Sequence, residues 1–207
     1  MMHKLLVATR SPGKKAEIRQ ILRELPYEIV FPEDVGLYER PEEMTLENAD
    51  TFEANARAKA EYFQRLSRLP TVADDSGIEA LSLGGQPGVR SRRFAMAGPG
   101  DDVDEANNRL LLQKLAGAPH DRRGAQYRCV AVFMKDMSII PHVFEGRCSG
   151  HITTEPRGTG GFGYDPLFHS VDLDKTFGEA TPEEKAKVSH RGKAFRAFAE
   201  WLIANPP

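Results

Sequence analysis

The sequence predicts an α/β fold in which a mixed central β-sheet is flanked by helices. Strand-like and helix-like segments alternate through the first half of the chain, whereas long strand-like segments follow one another later. The composition, with 40% hydrophobic and 28% charged residues, is typical of a globular protein. A chain of 207 residues can form one sizeable domain, or one domain with two lobes, so we expect a single domain over residues 1–207.

The first half of the chain begins as a strand, a loop and a helix. An apolar strand is predicted at 4–8, and Ser, Pro and Gly break it at 9–13. Apolar residues at helical spacing predict a helix at 14–25. The elements expected after it are a strand at 28–31, an irregular acidic stretch at 34–50, a helix at 51–66, a strand at 71–73 and a loop at 83–88.

The second half begins with a helix predicted at 102–115. Segments 125–134 and 138–152 are rich in Val, Ile, Phe and Tyr, which predicts two strands, expected to be antiparallel to each other. Four glycines predict a loop at 158–165. A capping box at 181–184 starts a helix, and Ser189 can cap a last helix with Phe195, Phe198 and Leu202 on its buried face.

Charge and hydropathy exclude several classes of partner. The formal net charge of −2 gives no reason to expect a nucleic-acid polymer or an anionic membrane as a partner. The longest apolar runs are too short to span a bilayer, and the N-terminus turns polar too early for a secretory signal. Cys129 and Cys148 lack metal-site spacing and are interpreted as buried thiols. A cytoplasmic location is therefore expected.

A first candidate site is the loop formed by Thr9, Arg10, Ser11, Pro12, Gly13 and Lys14. A polar loop that leaves a strand and enters a helix presents backbone N–H groups to an anion. Lysines in the first turn oppose the helix dipole, and an anionic ligand would remove that penalty. The spacing is not that of a P-loop. The alternative is an ordinary turn with solvated lysines.

The acidic pair Asp74–Asp75, followed by Ser76 and Gly77, is the second candidate. Adjacent carboxylates at the end of a buried strand are costly unless a cation neutralises them. Hard oxygen ligands suit Mg²⁺, which completes its coordination with water and phosphate oxygens. The alternative is an Asx-turn with one exposed aspartate, but such a turn does not need both acids.

Two further segments could bind a flat, polar ligand. In the glycine-rich segment 160–166, Phe162 lies between glycines, which lets a base approach the backbone and stack on the ring. Lys185, His190 and Arg191 offer donors near a helix start, which suits a carbonyl oxygen or a phosphate. The alternatives are a hairpin with a core phenylalanine and a solvated basic turn. Lys59 and Arg92 add cations elsewhere.

Taken together, these segments closely resemble the Ham1-like family of inosine/xanthosine triphosphate pyrophosphatases. The resemblance covers nearly the whole chain, and the order and spacing of its motifs are highly specific. Its strongest parts are Ala73-Asp74-Asp75-Ser76-Gly77, the run from Gly158 to Pro166, and Ser189-His190-Arg191-Gly192. It implies an elongated two-lobed domain with the active-site cleft between the lobes, Mg²⁺ as cofactor, a homodimer, and hydrolysis of non-standard purine nucleoside triphosphates to monophosphate and pyrophosphate.

The resemblance also implies roles by position. Residues 9–14 match the family's triphosphate loop, although Thr9-Arg10-Ser11 stands where Thr-Gly-Asn is usual. Asp75 matches the proton acceptor and metal ligand, Glu47 a second metal carboxylate, and Asp74 could also hold the metal. The residues matched to substrate binding are Lys59 and Ser76, with Phe162, Gly163, Tyr164, Asp165, Lys185, His190 and Arg191 in the base and sugar pocket; Arg92 is added from its position after the acidic pair.

Two other functions stay open on the sequence. One is a related nucleotide-pool enzyme that acts on modified pyrimidines or on diphosphates, which differs in the phosphate product that it releases. The other is a nucleotide sensor without catalysis. The paired acids argue against a sensor, because binding a polyanion gains nothing from extra carboxylates unless a metal is bound.

Overall fold

A computed structural model describes residues 3–98, 100–137 and 140–206. The strands are β1 (His3–Val7), β2 (Tyr27–Val30), β3 (Thr71–Ala80), β4 (Gly124–Met134), β5 (His142–Ile152), β6 (Phe168–Ser170) and β7 (Lys175–Thr176). The helices are α1 (Pro12–Leu22), α2 (Phe52–Ser67), α3 (Val103–Lys114), α4 (Pro182–Val188) and α5 (His190–Ala204). No helix in these described ranges is long and apolar enough to cross a bilayer.

The strands form one mixed sheet in the order β2-β1-β3-β4-β5-β6-β7. Strand β1 runs parallel to both β2 and β3, whereas β6 is antiparallel to β5 and to β7. Parallel pairing at one end follows from the helical crossovers between β1, β2 and β3, because parallel neighbours need a long connection. The predicted α/β class, with a mixed sheet flanked by helices, is confirmed.

The chain divides into two compact units. The first comprises residues 1–75, 129–146 and 191–207, and the second comprises 76–128 and 147–190. In the first unit, β1, α1, β4 and α5 supply the buried core, which includes Leu5, Ile18, Phe133, Phe195 and Phe198. The apolar positions predicted for the last helix all lie in this core.

The second unit has a core of its own. It is built from the later part of β3, from α3 and from the neighbouring strands, and its largest members are Tyr127, Tyr164, Phe168 and Phe177. The rings of Phe168 and Tyr127 meet edge to face with centroids 4.8 Å apart. Each unit therefore buries its own aromatic cluster.

Several predicted boundaries were wrong. The first helix starts at Pro12, two residues before the predicted start, because Ser11 caps it and proline fits its first turn. The strand predicted at 71–73 continues to Ala80. The stretch 34–50, predicted to be irregular, contains a 3₁₀ helix at Pro41–Thr45. A second 3₁₀ helix, Pro32–Val35, overlaps the start of that stretch. The strand predicted from Ser138 begins at His142; Ser138 itself lies outside the described residues.

Candidate active site

The acidic pair lies inside strand β3, and this corrects its predicted place at a strand end. Asp74 is 1% exposed and Asp75 is 6% exposed, and the strand continues for five residues beyond them. Because the backbone stays extended, the alternative of an Asx-turn with one exposed acid is wrong. Two adjacent carboxylates are therefore buried within a central strand, where their charge must be balanced.

Asp74 is balanced by cations of the first unit. Its Oδ2 atom lies 3.0 Å from Lys14 Nζ and 3.3 Å from Arg191 Nε. Burial alone would raise the pKa of Asp74, but the charges of Lys14, Arg191 and Lys59 outweigh it and hold that pKa far below its usual range. Asp74 is therefore a permanent carboxylate.

Asp75 has a different environment although it is the next residue. Its Oδ2 atom accepts a hydrogen bond of 2.8 Å from Asn55 Nδ2. Burial raises the pKa of Asp75, and the attraction of Lys59 and Lys14 only partly opposes that shift. A carboxylate with a raised pKa holds a proton more readily than an ordinary aspartate, which is the property required of a general base.

Lys59 joins the acids to Glu47. Lys59 Nζ lies 2.5 Å from Glu47 Oε1 and 2.5 Å from the carbonyl oxygen of Asp74. The charge of Lys59 lowers the pKa of Glu47 to about 2. Lys14 Nζ approaches the same carbonyl oxygen at 3.5 Å. We call Lys14, Glu47, Lys59, Asp74 and Asp75 the acid–lysine cluster.

The donor set of this cluster fits a hard divalent cation. Asp74 Oδ1 is buried and has no hydrogen-bond partner among the described residues, so its lone pairs can coordinate a metal. Across the described ranges, no group of three His, Cys, Asp or Glu side chains forms a complete metal site. That is compatible with Mg²⁺, which is commonly held by one or two carboxylates while phosphates and water fill the other positions.

The loop that starts at Thr9 is shorter than predicted, because α1 begins at Pro12. Ser11 is the N-cap, and its hydroxyl oxygen accepts from the backbone N–H of Lys14 at 3.4 Å. The first turn of α1 holds no acidic residue, so the helix dipole is left uncompensated there. Pro12 and Gly13 form the first helical positions. The loop thus keeps the features of an anion-binding turn.

Arg10 makes contacts other than those its predicted phosphate role requires. Its guanidinium forms a two-pronged ion pair with Glu43, at 2.8 Å and 2.7 Å, and donates to the carbonyl oxygen of Leu37 at 2.9 Å. It also lies over the ring of Phe63. These contacts join the loop to the segment that precedes Glu47. They favour a positioning role for Arg10, while phosphate binding by this side chain stays a prediction.

Arg191 contacts acidic residues of the first unit. Its side chain is 2% exposed, and its NH1 nitrogen lies 2.5 Å from Glu17 Oε2 in addition to the contact with Asp74. The two carboxylates raise the pKa of Arg191 even though burial opposes that shift. The structure thus places Arg191 beside the acid–lysine cluster. The base-reading role expected for Arg191 stays a prediction.

A separate group of residues gathers in the second unit. Asp165 Oδ2 accepts from the backbone N–H of Phe162 at 2.8 Å and forms a close ion pair with Lys185. Lys185 Nζ lies 5.0 Å from the centre of the Phe162 ring, within the range of a cation–π contact. A side chain at Gly161 would collide with the Asp165 carboxylate, which explains the glycine at that position.

His190 completes this group. Its ring stacks on that of Tyr127, with centroids 4.4 Å apart and planes within 5° of each other. Both residues are buried. We call Tyr127, Phe162, Asp165, Lys185 and His190 the aromatic pocket. The half-buried ring of Phe162 offers stacking to a base, and the imidazole of His190 offers hydrogen bonding.

Three other predicted substrate residues lie in the second unit. Tyr164 is buried and its hydroxyl donates to the carbonyl oxygen of Ser91 at 2.8 Å. Ser76 is half-buried in β3. Arg92 is exposed and lies in the 3₁₀ helix Gly88–Arg93. Arg92 has its carbonyl oxygen held by Asn107 at 3.1 Å.

Several residues that contact the predicted ones were not predicted from the sequence, among them Asn55, Glu17 and Tyr127. Asn55 lies four residues before Lys59 on α2, and Glu17 lies three residues after Lys14 on α1. Residues three or four apart share one helical face, so this spacing could have indicated both. Tyr127 gave no signal, because one tyrosine in an apolar strand is usually a core residue.

Comparisons with known proteins agree with this arrangement of motifs. The model of the Ham1 family matches residues 5–201. This chain belongs to the Ham1 family. A relative in Syntrophobacter fumaroxidans, named dITP/XTP pyrophosphatase, is 46% identical, with 97% of this chain and 85% of the relative covered. A protein of the same name in Yersinia pseudotuberculosis is 40% identical, with 97% and 98% covered.

Solved structures of Ham1 proteins share the fold. The HAM1 protein of Coxiella burnetii is 32% identical and superposes with a TM-score of 0.84, covering 98% of this chain and all of that one. A structure from Mycobacterium abscessus, described as nucleoside-triphosphatase / dITP/XTP pyrophosphatase, is 40% identical with a TM-score of 0.71 and covers 96% of this chain and 98% of its own. Both structures therefore match nearly the whole chain.

Proposed function

We propose that this Ham1-family chain hydrolyses non-standard purine nucleoside triphosphates, such as those of inosine and xanthosine, to the monophosphate and pyrophosphate. The observation that carries the proposal is the convergence of Lys14 and Lys59 on the carbonyl oxygen of Asp74, directly beside the buried Asp75. Cations and carboxylates so close together suit a polyphosphate bound with a divalent metal. The names of its relatives support the same activity.

In this proposal the acid–lysine cluster binds the phosphates and the aromatic pocket binds the purine. The loop at 9–14, Lys14 and Lys59 bind phosphate oxygens, because they supply donors and positive charge. Phe162 and His190 in the aromatic pocket bind the base by stacking and hydrogen bonding. The 6-keto oxygen of hypoxanthine or xanthine accepts hydrogen bonds from donors in this pocket. Adenine has an amino group at the same position, so a donor would face a donor and the hydrogen bond would be lost.

Asp75 orients a water molecule and takes a proton from it. The water oxygen forms a bond to the α-phosphorus while the bond to the bridging oxygen breaks, and pyrophosphate leaves with that electron pair. Lys14 and Lys59 stabilise the charge that develops on the leaving group. Mg²⁺, held by Asp75 with Asp74 and Glu47, would supply charge neutralisation to the phosphates when bound.

An exchange of partners would accompany binding. In the structure Lys14 is paired with Asp74 and Lys59 with Glu47. A metal complex of the triphosphate offers a cation to the carboxylates and anions to the lysines, so both sets keep their charge balance.

The resemblance of this chain to its family also supports a homodimer that acts in the cytoplasm.

Replacement of Asp75 tests the catalytic assignment. We expect Asp75→Asn to lower kcat by about 10²–10⁴-fold, because the amide cannot take the proton. The measurement is pyrophosphate release from inosine triphosphate with and without Mg²⁺. Asp174→Asn is a matched control, because that carboxylate is fully exposed and asparagine tolerates its positive φ of 53°. Near-normal turnover by a folded Asp75→Asn protein would contradict the assignment.

A substrate panel separates the remaining alternatives. Inosine, xanthosine, guanosine and adenosine triphosphates are compared at equal concentration, and both pyrophosphate and orthophosphate are measured. We expect pyrophosphate, with the inosine and xanthosine substrates preferred. Orthophosphate as the first product would exclude cleavage at the α-phosphorus. Tight binding of nucleotide without turnover stimulated by Mg²⁺ would instead indicate a sensor.

A further inference from the structure

Helix α3 binds the loop that carries Phe162 through the backbone N–H and the carbonyl oxygen of Gly163. The carboxylate of Asp104 accepts from the N–H of Gly163 at 2.7 Å. The side-chain amide of Asn108 donates to the carbonyl oxygen of Gly163 at 3.0 Å. Asp104 and Asn108 are four residues apart, so they share one face of the helix. We call this pair of contacts the α3 clamp.

The gripped residue has a backbone that needs support. Gly163 has φ of +64°, in the left-handed region, and it lies between Phe162 and Tyr164. Glycine loses more conformational freedom on ordering than other residues, so a single conformation here depends on external contacts. The α3 clamp supplies an acceptor and a donor, which together fix the orientation of the residue.

The hydrogen bond from Asn108 to Gly163 leaves another polar atom of the asparagine side chain in an unfavourable environment. The Nδ2 atom of Asn108 must face the carbonyl oxygen of Gly163, because a carbonyl accepts and does not donate. Its Oδ1 is consequently buried without a hydrogen-bond partner among the described residues. A buried acceptor without a partner is unfavourable, so an asparagine that served only to fill space would be poorly suited to this position.

The same helix also holds a second segment of the second unit. Asn107 donates to the carbonyl oxygen of Arg92 at 3.1 Å and accepts from the backbone N–H of Ala95 at 2.8 Å. Three polar side chains on adjacent turns of α3, those of Asp104, Asn107 and Asn108, thus bind loop backbone. On its solvent side α3 carries the exposed ion pair Glu105–Arg109.

From these contacts we infer that Asp104 and Asn108 are positioning residues for purine binding: by fixing Gly163 they hold the Phe162 ring in place against Lys185. The inference rests on the proposed function for the identity of the ligand. The clamp itself rests only on contacts within the second unit. Loosening it should weaken binding of the base while leaving chemistry at the phosphates unchanged.

Steady-state kinetics of Asp104→Ala and Asn108→Ala test the inference. We expect KM for inosine triphosphate to rise about 10-fold, as for a lost hydrogen bond to a charged or buried group, with kcat within about twofold. Inorganic pyrophosphate, a probe without a base, should inhibit with an unchanged inhibition constant. Asp104→Asn should restore most of the affinity, because its amide oxygen still accepts from the Gly163 N–H.

The exposed double variant Glu105→Ala/Arg109→Ala is the control on the same helix, and it should match the parent protein. A fall in kcat at unchanged KM would overturn the inference, as would an equal loss of affinity for pyrophosphate.

Hydrogen exchange decides the clamp independently of activity. In the ligand-free protein we expect peptides covering 158–167 to exchange faster in both alanine variants than in the parent or the control. Unchanged exchange in both variants would overturn the clamp. Failure of the parent protein to hydrolyse any purine triphosphate would contradict the proposed function. Faster exchange in the two alanine variants would still establish that the α3 clamp orders this loop.

Discussion

Adjacent residues with the same side chain can have opposite acid–base behaviour, and Asp74 and Asp75 are an example. Three cations hold the pKa of Asp74 low, whereas burial dominates at Asp75 and raises its pKa. The difference arises because Lys14 and Arg191 contact Asp74 directly, while the hydrogen bond to Asp75 comes from the neutral side chain of Asn55. A permanent charge and a proton acceptor therefore lie side by side.

The Arg10–Glu43 pair gives a prediction at the scale of single residues. If Arg10 positions the segment before Glu47, then Arg10→Lys and Glu43→Gln should each reduce stability, because lysine cannot form the two-pronged contact. The double variant should lose less free energy of unfolding than the two single variants lose in sum, with a coupling energy of about 1 kcal/mol. Urea unfolding of the four proteins measures this cycle.

Kinetics on the same four proteins distinguish positioning from phosphate binding. A phosphate-binding Arg10 would be released by Glu43→Gln, so that variant would bind triphosphate as well as the parent or better. The exposed pair Arg57–Glu53 provides a control cycle, for which a coupling of only a few tenths of a kcal/mol is expected. Additive effects of Arg10→Lys and Glu43→Gln would contradict the positioning role.

The sequence identified the charged residues of the candidate site better than their partners. Asp75 and Lys14 stand in motifs whose chemistry is readable from residue type and spacing, whereas the role of Lys59 was implied only by the family resemblance. The ion pair between Arg10 and Glu43 spans 33 positions, and no local pattern encodes such a contact. Side-chain partners depend on packing between distant segments, which is why they emerge only from the folded chain.

At the scale of elements, most helices and strands were predictable, whereas the two shortest strands, β6 and β7, were not. Helix α2 and strand β4 have enough residues to show their periodicity. Strands β6 and β7 have three and two residues, too few for an alternating pattern. The prediction ended strand β3 too early because aspartate and glycine usually mark turns. Here ion pairs of Asp74 and the hydrogen bond from Asn55 to Asp75 satisfy both acids within the strand.

Three histidines on neighbouring elements of the second unit predict a dependence of stability on pH. The His151 ring lies 4.6 Å from that of His120 and 4.5 Å from that of His169. Burial lowers the pKa of His151, and the nearby His169 and His120 lower it further, with smaller contributions from Arg123 and Arg157. The neutral ring is therefore the form that the fold favours.

The direction of the effect follows from that shift. As the pH falls below the ordinary histidine value, the unfolded chain takes up a proton before folded His151 does. Stability is thus fully present above that value and is lost as the pH falls through the lowered pKa. Urea unfolding at pH 7.5 and pH 5.5 should show a smaller loss for His151→Phe, which keeps an aromatic ring without titrating.

His142→Phe is the matched control for this change, because His142 also packs on an aromatic ring, that of Trp201. The control should lose as much stability on acidification as the parent protein does. An equal loss in His151→Phe and in the parent would show that the histidine stack does not contribute.

At the scale of the whole molecule, the same strands supply both hydrophobic cores. Strand β4 contributes Tyr127 to the core of the second unit and Phe133 to that of the first. Strand β3 likewise contributes Ile78 to one and Val72 to the other. Loss of order in either core should therefore pass along continuous hydrogen-bonded strands. This argues for cooperative unfolding, as the predicted single domain over residues 1–207 requires.

Matched deletions in the two cores test that cooperativity. Phe198→Ala removes a ring that packs on Phe133 at 5.3 Å, and Phe168→Ala removes one that packs on Phe177 at 5.0 Å. Each change should lower the free energy of unfolding by about 3–5 kcal/mol, because it leaves a cavity in a close-packed core. Urea unfolding followed by far-UV circular dichroism and by Trp201 fluorescence should give one coincident transition for the parent and for both variants. Separate transitions, with only the mutated unit destabilised, would show instead that the two units fold as independent domains, and that the shared strands do not couple them.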